Sequence, residues 1–122
     1  MAAKKAPSAC VMFVMAGADD EAERIARVLL DERLAACANI IGPVRSIYRW
    51  REKVEDAREY LIMIKTRSSL TTRIERTVRK LHSYEVPEII ALTLAAGSKP
   101  YLDWIGETTG ASKPPRRTRA KS

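Results

Sequence analysis

The side chains best able to do chemistry in this sequence gather in three stretches. His82, the only histidine, stands close to Tyr84, Glu85 and Glu88. A neutral imidazole with a neighbouring carboxylate is the donor set of a mixed nitrogen and oxygen site for copper or zinc. The other reading of His82 is a helix-terminal residue whose ring hydrogen-bonds a carbonyl. Cys37 sits in Ala35-Ala36-Cys37-Ala38, where a small buried side chain is the plain expectation and a soft ligand for Cu(I) the functional one. Lys65 closes one apolar stretch and Glu88 opens another. With Asn39, Tyr48, Trp50, Tyr84 and Trp104 they make the mostly aromatic lining, with few convergent polar groups, that small-ligand clefts use. The bland counterpart of that cleft is an interface core with one buried ion pair. No Ser-His-Asp set, glycine-rich phosphate loop or cysteine cluster occurs, so no catalysis is expected and no cofactor is obligatory.

The elements that must position these residues follow from periodicity. Cys10 to Ala16 is a short apolar run of strand type that ends at Gly17. Asp20 with Glu23 three residues on has the spacing of a capping box, and Ala22, Ile25, Ala26, Leu29 and Arg33 recur at helical intervals. The spacing predicts an amphipathic helix to about Ala36, with Glu21, Glu23, Arg24, Arg27, Asp31 and Glu32 on its other sides. Ala38 to Arg51 reads as a long strand bent at Gly42-Pro43, and Val54 to Thr66 as its hairpin partner across Glu52-Lys53. Each arm is about twice the usual strand length and spans some 40 Å, so the hairpin is expected to project beyond the domain. Ser68 or Ser69 starts a second helix through Leu70, Ile74, Val78 and Leu81. Ile89 to Leu94 is a fourth strand, and Ser98 with Pro100 opens a last helix through Ile105. The order β-α-β-β-α-β plus a helix is the split βαβ arrangement of an α+β, ferredoxin-like fold.

Charge assigns no polyanion partner to that fold. The chain has 122 residues, is 46% hydrophobic and carries a formal charge of +7. Seven cations lie in residues 1–9 and 111–122 (Lys4, Lys5, Lys113, Arg116, Arg117, Arg119 and Lys121), leaving 15 of the 22 basic residues against all 15 acidic ones. Residues 1–9 and 109–122 are expected to be disordered tails, with residues 10–108 a single domain. The basic tail offers only weak, salt-dependent attraction to polyanions. Nor do the central strands carry the aromatic pairs with which an RNA-recognition domain of the same fold stacks bases. No apolar run is long enough to span a membrane, and no signal peptide is recognised. Two cysteines 27 positions apart form no disulfide framework, so a reducing cytoplasmic setting is expected.

Three segments in order resemble the CutA family of divalent-cation tolerance proteins. They are Arg33-Leu34-Ala35-Ala36-Cys37-Ala38-Asn39-Ile40, then Ser46-Ile47-Tyr48-Arg49-Trp50 with Tyr60-Leu61-Ile62-Met63-Ile64-Lys65-Thr66, then Leu81-His82-Ser83-Tyr84-Glu85-Val86-Pro87-Glu88-Ile89-Ile90. Tyr101-Leu102-Asp103-Trp104-Ile105 adds a fourth. The resemblance implies a tight homotrimer with hairpins paired across subunits, an architecture similar to PII-type signalling proteins, and a part in tolerance to copper or other divalent cations. It brings no established catalysis. Under it, His82, Glu88 and Cys37 are candidate metal ligands, and Asn39, Tyr48, Trp50, Lys65, Tyr84 and Trp104 line a ligand pocket at subunit boundaries. The competing expectation is a PII-like regulatory module without metal affinity. Three departures stand out. Glu52 occupies a hairpin turn where members often have glycine. Ser83 replaces a common proline, which is expected to loosen the loop presenting His82 and Tyr84. Val14 and Leu81 occupy positions of copper ligands proposed in bacterial members.

Overall fold

The computed structural model describes residues 8–110. Four strands, β1 (Ala9–Ala16), β2 (Cys37–Trp50), β3 (Lys53–Arg67) and β4 (Ile89–Thr93), alternate with α1 (Asp19–Asp31), α2 (Thr71–Leu81) and a closing α3 (Lys99–Thr108). The strands form one antiparallel sheet in the order β2-β3-β1-β4. This is the mixed α+β, split βαβ arrangement expected from the sequence. Strand alternation turns Cys10, Met12, Val14, Ile62 and Ile64 toward one face, where Ile25 and Leu29 of α1 and Ile74 and Val78 of α2 close the core. The even residues of β1 are all buried and the odd ones only partly so, as expected where one face is covered and the other is not.

The other face stays apolar without a full cover. Phe13 pairs with Met63 on one side and Ile90 on the other, and Val11 with Lys65 and Leu92. Ile90, Leu92 and Ile41 on this face are exposed. Helix α3 is tied to the sheet at the far end of β3, where Arg67 donates to the Thr109 side chain and carbonyl at 3.0 and 2.8 Å.

The hairpin is longer than the rest of the sheet. Strand β1 pairs with β3 only from Tyr60 to Arg67, whereas β2 and β3 continue together for seven further pairs, Val44 with Glu59 out to Trp50 with Lys53. That outer ribbon runs about 23 Å beyond the sheet. The expected bend is a register shift between Ile41 and Val44, and the Gly42-Pro43 bond within it is cis. Gly42 has no alternative there, because a Cβ would drive into the Tyr60 ring.

Helix α1 differs from its expected form at both ends. Its N-cap is Ala18, without a side-chain cap, so Asp20 and Glu23 make no capping box. The first-turn acids Asp19, Asp20 and Glu21 instead lie where the helix dipole favours negative charge. The helix ends at Asp31 rather than near Ala36. Arg33 adopts a positive φ of 58°, and the Arg33 and Leu34 amides return to the Leu30 and Leu29 carbonyls at 3.0 and 2.9 Å. These are the two bonds of a Schellman stop, made here by arginine where glycine is usual. Residue 21 is a further correction: Glu21 is 8% exposed, not part of a solvated face.

The expected tails lie outside the described residues except at their inner ends, which belong to the fold. Ala9 is in β1, Thr109 is buried, and the Gly110 amide donates to the Arg33 carbonyl at 2.7 Å. No helix among the described residues is long and apolar enough to cross a membrane.

Candidate functional site

Alternation along β2 places Ser46, Tyr48 and Trp50 on one face of the outer ribbon, and pairing places Glu59 of β3 on the same face, opposite Val44. Met15 of β1 shares that face, turned away from α1 and α2. The chain returns across it after α2: the segment from Tyr84 to Glu88 lies over the ribbon's base. Between them is a concavity of about 620 Å³, lined among others by Tyr48, Trp50, Tyr84, Glu59, Glu85 and Glu88.

Each wall is fixed by polar contacts. The Tyr84 hydroxyl donates to Glu59 Oε2 at 2.7 Å, and Glu59 is only 5% exposed. Burial, then that hydrogen bond and the charge of Glu59, push the Tyr84 phenol far above its ordinary range. At the mouth, Arg51 donates to Glu85 Oε1 at 2.8 Å and its guanidinium lies 5.0 Å from the Trp50 ring centroid. Among the described residues no Lys or Arg forms an ion pair with Glu59 or Glu88.

His82 stands behind this wall rather than in it. Its side chain is fully buried. Nε2 donates to the Met15 carbonyl at 2.6 Å, and Nδ1 accepts from the Tyr84 amide at 3.1 Å. Ligation at either nitrogen would displace a backbone partner. The ring packs at 4.8 Å from that of Tyr84, so His82 positions the tyrosine. Ser83 tightens the segment instead of loosening it: its amide and hydroxyl donate to the two carboxylate oxygens of Glu21 at 2.8 and 3.0 Å. A proline at 83 would have neither donor.

The pocket residues read from the sequence divide into two groups. Tyr48, Trp50, Tyr84 and Glu88 meet in the concavity. Cys37, Asn39 and Lys65 lie together at the opposite end of the hairpin, where Lys65 donates to Asn39 Oδ1 and the Cys37 thiol lies 3.7 Å from the same oxygen. Lys65 is six residues along β3 from Glu59, about 20 Å, so its partner is Asn39 and not Glu88. Trp104 packs on Tyr101 at 5.4 Å. Burial first, then the charge of Cys37 and a hydrogen bond with it, raise the Tyr101 phenol, which places α3 beside the Cys37 end. Among the described residues no three His, Cys, Asp or Glu side chains are grouped to hold a metal ion.

Sequence reading missed Glu59, Arg51, Glu21 and Ser83 as parts of this site. Glu59 had one signal: counted from its pairing across the hairpin, it falls on the face of Tyr48 and Trp50. Glu21 had none, since its partner is 62 positions away.

Comparison with known proteins places this geometry in context. The family profile of the CutA1 divalent ion tolerance protein matches residues 10–108. The divalent-cation tolerance protein CutA of Thermus thermophilus is 42% identical over 100 residues, 82% of this chain and 97% of that protein. Protein CutA of Mus musculus is 44% identical over 102 residues, and there the chain spans 58% of the relative's length. Among solved structures, the divalent cation tolerance protein of Thermus thermophilus superposes with a TM-score of 0.82 at 41% identity, covering 84% of this chain and 99% of that one. CutA1 from Oryza sativa gives 0.84 at 36% identity, covering 88% and 98%.

Proposed function

The chain belongs to the CutA1 divalent ion tolerance family, and from that premise we propose that it acts in the response to divalent cations as a homotrimer. In this reading it binds a small ligand in the cleft between the outer ribbon and the Tyr84–Glu88 segment. The observation that carries it is the cleft itself: aromatic and carboxylate side chains from two distant parts of the chain converge on a concavity of ligand size. Assembly is supported by the exposed apolar residues Ile41, Ile90 and Leu92 on the uncovered sheet face and by Ile47 and Val54 on the ribbon, both 62% exposed.

Direct ligation of copper or another divalent cation by His82, Glu88 and Cys37 within one subunit draws no support from their positions, so in this proposal the cation acts through the ligand or through donors of several subunits. We propose no catalysis. The reducing cytoplasm is the compartment that suits the two unpaired thiols, Cys10 and Cys37.

The test is growth of a host sensitised to copper. Expression of the wild-type chain is expected to raise the tolerated copper concentration, and Tyr48→Ala, with assembly intact, is expected to lose that gain. Equal tolerance with and without the chain overturns the role. Equal tolerance with wild type and variant overturns the cleft, leaving the PII-like interaction module.

A further inference from the structure

The cleft's lining is chemically one-sided. Among the described residues three carboxylates, Glu59, Glu85 and Glu88, face it and no lysine or arginine does. Glu59 is nearly buried, and its hydrogen-bond partner is the neutral phenol of Tyr84. A carboxylate held out of water against a cavity, with no cation of its own, favours a positive guest. Tyr48, Trp50 and Tyr84 supply aromatic faces, whose negative quadrupole attracts cations and whose area suits an apolar stem.

Arg51 shows what such a guest would do. At the mouth its guanidinium makes an ion pair with Glu85 while lying over the Trp50 ring. The same two kinds of contact, carboxylate and aromatic face, are repeated deeper by Glu59, Tyr84 and Tyr48, with no described cationic side chain between them. A hard inorganic cation fits less well, because it needs several oxygen donors converging at about 2.0–2.6 Å, and no such group occurs among the described residues. The roughly 620 Å³ of the cleft also holds far more than a single ion.

We propose that this cleft is a binding site for a small organic cation, a guanidinium or primary ammonium group carried on a short apolar stem, with Glu59 and Glu88 as its anionic partners and Tyr48 and Tyr84 as its walls. The assignment rests on the cleft reading above and specifies the chemical class of ligand it takes.

The experiment is titration of the full chain with butylguanidine, its neutral isostere butylurea, and butyrate, followed calorimetrically and by the indole N–H resonance of Trp50. Butylguanidine is expected to bind saturably, one per chain, and to shift that resonance, with butylurea weaker by about tenfold or more, the scale of a lost charge-assisted hydrogen bond. Glu59→Gln is expected to weaken butylguanidine by about tenfold, with Glu88→Gln, at an exposed position, as the second variant should Glu59→Gln fold poorly. Butylurea or butyrate binding as tightly as butylguanidine, with the Trp50 shift, overturns the cationic assignment and keeps the cleft. No shift with any of the three overturns both. Butylguanidine affinity that neither Gln variant changes places binding elsewhere and overturns the assignment.

Discussion

His82 spends both ring nitrogens on the backbone, one on the Met15 carbonyl and one on the Tyr84 amide. His82→Ala therefore removes a buried ring and two hydrogen bonds, and is expected to cost about 2–4 kcal/mol in denaturant unfolding at fixed protein concentration. Copper affinity measured calorimetrically is expected to stay unchanged. Tyr84 gives a pH signature. Its folded phenol holds the proton well above the ordinary value of 10.0, so the stability this contributes is complete below pH 10 and declines as pH rises above it, where the unfolded chain ionises first. Melting temperatures between pH 8 and 11 should thus fall more steeply for wild type than for Tyr84→Phe; parallel curves would contradict the Glu59 pairing. At this scale the sequence exposed half of the site. Tyr48, Trp50, Tyr84 and Glu88 were legible as aromatic and acidic residues near strand ends. Glu59 was not, because Glu55-Asp56-Ala57-Arg58-Glu59 reads as a solvated run and the burial comes from a tyrosine 25 positions later.

Among the elements, the order of strands and helices was legible because each carries its own period, 2 or 3.6. The ends were harder where an unusual residue takes a special backbone conformation. Arg33 at φ 58° hides the stop of α1, and Arg51 and Glu52, at φ 51° and 72°, make a two-residue hairpin turn of the I′ kind without glycine or asparagine. Both places carry the steric cost of a Cβ in the left-handed region, about 1 kcal/mol per residue. Arg33→Gly and Glu52→Gly are each expected to stabilise the protein by about 0.5–1 kcal/mol, the relief of strain exceeding the added freedom of the unfolded chain. Thermal unfolding checks this, and a lower melting temperature for either variant would show that the replaced side chain contributes more than its backbone costs. Arg51 is left intact in this comparison because it also holds Glu85.

For the whole molecule, the arms' excess length was readable from the sequence, but the face they share with Met15 and Glu88 required the sheet register. An uncovered apolar face and an outer ribbon bearing Ile47, Val54 and Trp50 predict association. Light scattering at micromolar concentration is expected to give about three times 13.7 kDa, and Leu92→Asp, which puts a charge on the uncovered face, is expected to reduce that mass. A 13.7 kDa particle for the wild type would remove the trimer. The ribbon has a thermodynamic consequence of its own. Its seven outer pairs rest on no third strand among the described residues, and a two-stranded ribbon in water is marginal by itself. The ordering of those fourteen residues and the docking of partners are then one event, so mass action enters the melting curve: dilution lowers the midpoint, and the ribbon that forms half the cleft is the first part to be lost.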